Sequence, residues 1–197
     1  VWVGSMASPY NADAVDYFLR DILPRIRRGN PKVQVTFVGG EPTRLLREQA
    51  VKNKNIKIAG YVDDVRPYMR EAAVFIAPMR SGSGTNIKIL NALSMGMPVV
   101  TTPIGAEGLE VKDGKNIMVA QTAEEFAKRT LLLLDEPILA RRLGMAGRRV
   151  VTERYDWQHL HRETERLYTQ LVEVKRAARA RTRGGNDIKE EEEAVIC

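Results

Sequence analysis

Cysteine and histidine are scarce in this 197-residue sequence. The one cysteine, Cys197, is the last residue, so an internal disulfide is excluded and a reducing compartment, the cytoplasm, fits best. The two histidines, His159 and His161, would point to different faces of a helix, which argues against a metal site. No apolar run approaches the roughly 20 residues that a membrane-spanning helix needs.

Aromatic residues are also few, at 6% of the chain, and they are not interleaved with basic residues. This pattern argues against nucleic-acid binding, which relies on basic grooves with aromatic stacking platforms. The net charge is nevertheless +6, and the segment from Lys175 onward, with six basic and five acidic residues, contributes little of it. A basic body suits an anionic ligand such as phosphate or an acidic membrane surface, and a generally basic surface is the alternative.

Short β-branched runs alternate with longer segments of helical periodicity. The runs predict six strands, at residues 1–4, 33–38, 56–59, 74–78, 98–102 and 116–120. Helices are predicted at residues 12–28, 42–52, 66–71, from about 85 onward, 123–134, 137–155 and 157–178. Strands that alternate with helices form βαβ units, so the fold class is α/β, a doubly wound parallel sheet with extra C-terminal helices.

One domain is expected over residues 1–178, followed by a disordered charged tail over residues 179–197, where the composition turns to Arg, Gly, Asn and Glu. The basic residues of this tail could contact acidic lipid, although a solvated end is favoured. The chain opens on Val1-Trp2-Val3-Gly4, which has the pattern of a strand already under way. We therefore expect a piece of a longer polypeptide.

Glycine-bearing loops follow three of the predicted strands, namely Gly4-Ser5, Gly39-Gly40 and residues 81–85. Ligands of open α/β sheets bind beyond the carboxyl ends of the strands, where such loops lie. In the third loop, Gly82 and Gly84 allow backbone N–H groups to approach a ligand closely, and the helix that follows presents its positive end to phosphate. Arg80 and Lys88 flank this loop, for which a plain strand–helix turn is the alternative.

The helix after this loop has a polar sector of Lys88, Asn91 and Ser94 opposite an apolar side. An anion at the helix start would lie near Lys88, with the amide of Asn91 one turn deeper, where a sugar hydroxyl could sit. A solvated helix residue is the alternative for Asn91. Glu107, the only acid in the loop of residues 105–108, follows the next strand and could meet the ligand from above.

Three stretches together resemble a known family: GYVDDVRPYMREAAVFIAP at residues 60–78, PMRSGSGTNIKILNALSMGMPVVTTPIGAEGLEV at residues 78–111 and GRRVVTERYDWQHL at residues 147–160. In order and spacing they are similar to the C-terminal half of GT-B glycosyltransferases, above all the retaining group 1 transferases that build bacterial polysaccharides and glycolipids. The resemblance extends from Val1 to about Leu171. It implies a Rossmann-like domain that binds a UDP- or GDP-linked sugar donor, while an absent N-terminal half carries most of the acceptor site.

The resemblance implies a diphosphate site around the third glycine loop. Ser83, Gly84 and Thr85 would lie against the donor diphosphate and sugar, with Arg80 and Lys88 as the catalytic phosphate partners. The helix dipole and these cations would stabilise the departing nucleoside diphosphate without a metal. No cofactor is implied beyond the donor, which is a substrate.

Other positions would contact the rest of the donor by the same resemblance. Tyr61 and Val62 would line the base through backbone contacts. Gly39 and Gly40 would let the donor pass close to the second strand, and Glu107 would neighbour the ribose or sugar.

The sequence departs from the family at two places. Family members commonly carry two glutamates eight positions apart, the first near the donor sugar and the second on the ribose hydroxyls, where this chain has Ser83 and Asn91. A neutral amide still binds a hydroxyl, but more weakly than a carboxylate does. The other departure is the loop after Gly4, itself a donor-binding position, where many members carry an Arg and a Lys and where residues 5–8 have no charge.

The sequence thus predicts the donor-binding domain of a metal-independent hexosyltransferase that binds its donor weakly and transfers nothing without the missing half. The expected partners are a nucleotide sugar, an acceptor glycan or lipid-linked sugar and the N-terminal domain, with no nucleic acid. The expected location is the cytoplasm, including the inner face of the membrane. Two alternatives stay open: another GT-B enzyme such as a sugar-nucleotide epimerase, and a non-catalytic module of the same fold, which Asn91 makes conceivable.

Overall fold

The structure, a computed structural model of the chain, describes residues 1–82 and 84–194, without the side chains of residue 159 and residues 177–194. The described residues form six strands, β1 (Trp2–Val3), β2 (Val35–Val38), β3 (Ile56–Gly60), β4 (Phe75–Ala77), β5 (Val99–Thr101) and β6 (Met118–Val119). Their helices are α1 (Pro9–Tyr17), α2 (Leu23–Gly29), α3 (Arg44–Lys52), α4 (Arg66–Arg70), α5 (Ile87–Ser94), α6 (Pro103–Ala106), α7 (Ala123–Asp135), α8 (Pro137–Arg154) and α9 (Trp157–Ala194). All six predicted strands are present.

The strands are parallel and fall into two groups, β1-β2-β3 and β4-β5-β6. Backbone hydrogen bonds at Val1 join the groups, because its main-chain nitrogen donates to Val74 O at 2.7 Å and its carbonyl accepts from Ile76 N at 2.9 Å. The strands therefore follow the order β3-β2-β1-β4-β5-β6, which reverses between β1 and β4. This is the doubly wound, Rossmann-like order, and the predicted fold class is confirmed.

Helices cover both faces of the sheet. Alternate residues of each strand point to opposite faces and pack into two separate cores. Trp2, Phe37, Ile76 and Val100 lie in one core with the inner sides of α1, α2 and α7, whereas their strand neighbours pack on the other face with residues of α4 and α5. Trp2 and Phe37 are completely buried, with ring centroids 6.2 Å apart. The sheet is thus buried on both faces, as the β-branched runs predict.

A π-helical segment, Phe18–Ile22, joins α1 to α2, so that the helix predicted at residues 12–28 is continuous but not regular. The N–H of Leu23 donates to the carbonyl of Phe18, five residues earlier, and Pro24 follows with no N–H to donate. The proline thus explains why the regular α-helical ladder is interrupted at this point.

The helices differ from the sequence-based expectations at several places, and α1 already begins at Pro9 rather than at residue 12. The helix expected from about Thr85 begins at Ile87, with Asn86 as its N-cap, and the single-turn helix α6 was not predicted. The last helix, α9, continues to Ala194 through most of the segment predicted to be disordered, while residues 195–197 lie outside the described residues. Ala, Arg, Lys and Glu dominate that segment, and all four are good helix formers.

The chain divides into two compact units, Val1–Glu153 and Arg154–Cys197. The predicted domain of residues 1–178 stays a prediction. The sheet and both of its cores lie in the first unit. The second unit is dominated by α9. Among the helices that the structure describes, none is long and apolar enough to cross a membrane.

The loops after β1 and β2 touch at Gly39. Its φ is 142°, and an added Cβ would lie 1.7 Å from the carbonyl oxygen of Gly4. No L-residue with a side chain can occupy this position unless the two loops move apart. Gly40 is different, because a Cβ there would meet no atom within 4 Å.

Gly39→Ala should therefore lower the free energy of unfolding by about 3 kcal/mol or more, since it combines a strained φ with a backbone clash. Gly40→Ala, the matched control one residue away, should change it by less than about 0.5 kcal/mol. Urea unfolding of the two variants and the parent measures both values. Equal stabilities for the two variants would contradict the close approach at Gly39.

Candidate functional site

The predicted glycine loops meet at the carboxyl edge of the sheet. Gly4 N–H donates to Val38 O at 2.9 Å, and Gly39 N–H donates to Gly60 O at 2.7 Å, so the ends of β1, β2 and β3 are tied in series. Met6 N–H also donates to Gly40 O at 3.0 Å. The structure thus brings Gly4, Gly39 and Gly40 together beside the strand-order reversal, where folds of this type bind ligands.

Lys88 reaches this edge from α5. Its Nζ lies 5.1 Å from the ring centroid of Trp2 and donates a hydrogen bond to Asn11 Oδ1. A Cβ added at Gly4 would lie 3.2 Å from Lys88 Nζ, so the ammonium stands directly against the first loop. Among the described side chains, no carboxylate forms an ion pair with Lys88. Lys88 therefore supplies an uncompensated positive charge at the switch point.

Burial lowers the pKa of Lys88 from its ordinary value of 10.5 to about 8. Desolvation is the cause, since it disfavours the charged form of an amine. The lysine is still mainly protonated near neutral pH. An anion beside it would favour the ammonium and raise this pKa.

Arg80 is held by α1 instead. Its Nε donates to Asp13 Oδ2 at 3.0 Å, its Nη2 donates to Asp13 Oδ1, and its guanidinium lies 4.6 Å from the ring centroid of Tyr17. The side-chain hydrogen bond to Asp13 is the main reason that the pKa of Arg80 is raised. Unlike Lys88, the predicted phosphate partner Arg80 has its charge already paired with a carboxylate.

The third glycine loop lies against the loop after β5. A Cβ added at Gly108 would be 3.6 Å from Thr85 Oγ1 and 3.9 Å from the carbonyl carbon of Gly84, so exposed Glu107 is next to this contact. Ser83 lies outside the described residues. The N-cap of α5, Asn86, makes no side-chain hydrogen bond to the helix, so its side chain does not compete with an anion for the first-turn N–H groups.

Three further predicted positions have different surroundings. Asn91 is exposed on α5, one turn after Lys88, as its helical phase predicts. Tyr61 is 80% exposed directly after the left-handed Gly60, whose φ is 72°. Val62 is partly buried and packs against the second core, so it also has a structural role.

Three side chains of the site were not found from the sequence, namely Trp2, Asn11 and Asp13. Trp2 was assigned only to a strand and Asp13 only to the helix predicted at residues 12–28, whereas Asn11 was assigned to no element. Their partners are 67 to 86 positions away in the chain, so spacing alone carries no signal for these contacts. A tryptophan two residues before a glycine loop is the nearest hint.

No group of three or more His, Cys, Asp or Glu side chains that could hold a metal ion occurs in the described part of the chain. The groups that the structure places at this edge include cations, a helix N-terminus, backbone N–H groups and neutral amides. Such groups bind anions, and phosphate oxygens fit them well.

Solved structures share this fold at low sequence identity. Anabaena Alr3699/HepE in complex with UDP-glucose superposes with a TM-score of 0.71 at 16% identity, covering 86% of this chain and 48% of that one. The C-terminal domain of a glycosyl transferase group 1 family protein (LpcC) from Francisella tularensis has a TM-score of 0.66 at 17% identity, covering 79% of this chain and 85% of that one. The fold is that of GT-B glycosyltransferases.

Sequence comparison agrees with the fold. A phosphatidyl-myo-inositol mannosyltransferase from Mycobacterium leprae is 31% identical over 155 residues, which are 76% of this chain and 41% of the relative. The chain thus spans less than half the length of this relative. The model of the family described as "Glycosyl transferases group 1" matches residues 1–136. The chain belongs to the group 1 glycosyltransferase family.

Proposed function

We propose that this chain is the donor-binding domain of a retaining GT-B hexosyltransferase, and that it binds a nucleoside diphosphate sugar at the carboxyl edge of its sheet. The observation that carries this proposal is Lys88, a partly buried ammonium with no carboxylate partner among the described side chains, placed against the Gly4 loop. Similar folds support it, since one neighbour holds UDP-glucose and another is a C-terminal domain.

The proposed chemistry is stabilisation of a leaving group. Cleavage of the bond between the sugar and the diphosphate builds negative charge on the diphosphate oxygens. Lys88 and the first turn of α5 would face that charge, and they need little reorganisation because Lys88 is already held by Asn11. The transfer proposed here is metal-independent, and it uses Arg80 only when the ligand competes with Asp13.

The acceptor would be a glycan or lipid-linked sugar bound largely by the rest of a longer protein. We therefore expect the 197-residue chain to bind a donor weakly and to transfer nothing by itself. Neutral Asn91 adds to the weakness, because it stands where family resemblance expects a carboxylate for the ribose. A non-catalytic module is the second candidate, and exposed Asn91 is the observation that favours it.

Calorimetry should show that the chain binds UDP or GDP at least about tenfold more tightly than inorganic phosphate, since the nucleotide adds base and ribose contacts. Lys88→Ala should weaken nucleotide binding by about tenfold, because a charge-assisted contact is lost. If neither nucleotide were preferred over phosphate, the donor-binding proposal would fail.

Asn91→Glu should strengthen UDP or GDP binding several-fold if the site is a weakened enzyme, because a carboxylate accepts ribose hydroxyls better than an amide. Ser94→Glu, one turn further on the exposed side of α5, introduces the same charge and should have no such effect. The same calorimetric titration compares both variants. No gain for Asn91→Glu would favour the non-catalytic module.

The stability of the chain should reveal the cost of burying Lys88. Its folded pKa of about 8 is below the ordinary 10.5, so between these values the unfolded chain binds a proton that the folded chain lacks. The free energy of unfolding therefore receives a contribution that rises with pH across this window, and the desolvation cost is complete below about pH 8. Replacement by an apolar side chain removes that cost.

Lys88→Met should accordingly raise the free energy of unfolding at about pH 7 by roughly 1–2 kcal/mol, after allowing for the acceptor left on Asn11. The gain should shrink at about pH 10. Urea unfolding at the two pH values tests both statements, with exposed Lys54→Met as the control that should change little. A less stable Lys88→Met at both pH values would refute the stated cost.

A further inference from the structure

Asn11 connects two elements that both contribute to the site. It lies on α1, its Nδ2 donates to the carbonyl of Ser5 at 2.6 Å, and its Oδ1 accepts from Lys88 Nζ. A carbonyl oxygen can only accept and an ammonium can only donate, so one orientation of the amide satisfies both contacts. A single side chain thus links the loop after β1 to the lysine from α5, 77 positions away.

The chemistry of this contact is different from that of the neighbouring ion pair. Asp13, two residues later on α1, holds Arg80 with a carboxylate and thereby compensates its charge. Asn11 holds Lys88 with a neutral oxygen, which orients the ammonium and leaves its charge intact. Of the two cations that flank the third glycine loop, Lys88 is therefore the one whose field remains available to an incoming anion.

Orientation matters because a lysine side chain is long and flexible. Holding a lysine side chain in one geometry costs conformational entropy, roughly up to 2 kcal/mol. The Trp2 ring below and the Asn11 amide beside the ammonium restrict it before any ligand arrives. Groups ordered in advance lose less entropy on binding, which favours affinity and charge stabilisation.

We propose that Asn11 is a positioning residue of the donor site, which fixes the Lys88 ammonium and the loop after Gly4 in one arrangement without neutralising the charge that the diphosphate needs. This inference rests on the proposed donor-binding function. Asn11 acts through Lys88 and through Ser5. The neutrality of the Asn11 amide is part of this role, so the isosteric substitution Asn11→Asp should weaken nucleotide binding.

The two tryptophans of the chain allow a test of the Asn11–Lys88 link without any nucleotide. In a Trp157→Phe background, Trp2 becomes the single tryptophan, and its fluorescence should follow the charge of Lys88 against its ring. Its pH midpoint is expected at about 8. Lys88→Met should abolish this titration, which assigns the signal.

Asn11→Asp should raise the midpoint by about one pH unit or more, because an adjacent carboxylate favours the ammonium. It should also weaken UDP or GDP binding about tenfold at neutral pH, since the charge of Lys88 is then compensated. Asn11→Ala should weaken nucleotide binding as well, with no upward shift of the midpoint. Asn30→Asp, which changes the net charge equally after α2, should alter neither quantity.

The two readouts separate the outcomes. A raised midpoint together with weaker nucleotide binding supports the proposal. Unchanged nucleotide binding in both Asn11 variants, or an unmoved midpoint in folded Asn11→Asp, overturns it, and urea unfolding of the same samples identifies a misfolded variant. If the parent chain binds no nucleotide, the proposed function fails, and the fluorescence titration still decides whether Asn11 sets the state of Lys88.

Discussion

The two-residue strand β1 is the element on which the rest of the structure depends. It pairs with β2 along one side, and Val1, directly before it, bonds to β4 on the other, so this short segment joins the two three-stranded groups. The reversal of strand order is located at this junction, and with it the crevice where the fold binds ligands. Trp2 anchors the strand in the core, and Gly4 ends it at the crevice.

The close packing around β1 explains why a lysine there is informative. A structural role for a partly buried lysine normally includes a carboxylate, as Asp13 provides for Arg80. Lys88 contacts an aromatic ring and an amide oxygen instead, and these contacts do not fully compensate for the hydration that the buried ammonium has lost. A local arrangement that opposes stability in a ligand crevice is the usual sign of a binding or catalytic role.

Much of the fold could be predicted from the sequence, because strand positions and buried faces are recorded in local patterns. The β-branched runs that end in glycine predict β2 and its loop, and the phase of α5 places Ile89 inside and Asn91 outside. The contacts of Lys88 and Arg80 could not be predicted, since they join these residues to side chains of α1 that are 77 and 67 positions away in the chain. The length of α9 was also missed, because charged composition is shared by disordered tails and by solvated helices.

The pattern of neutral and charged positions determines what part of a donor this site could recognise. In the proposed function, Lys88, the start of α5 and the glycine backbones would all face the diphosphate, which every nucleoside diphosphate sugar contains. Because Asn91 carries no charge, donor affinity would rest more heavily on the phosphates and should be sensitive to salt. In the same proposal, discrimination between bases would fall to the segment after Gly60, where Tyr61 is exposed. In the proposed function, the base of the donor would thus be recognised at the end of β3, two strands away from β1, where Lys88 would hold the diphosphate.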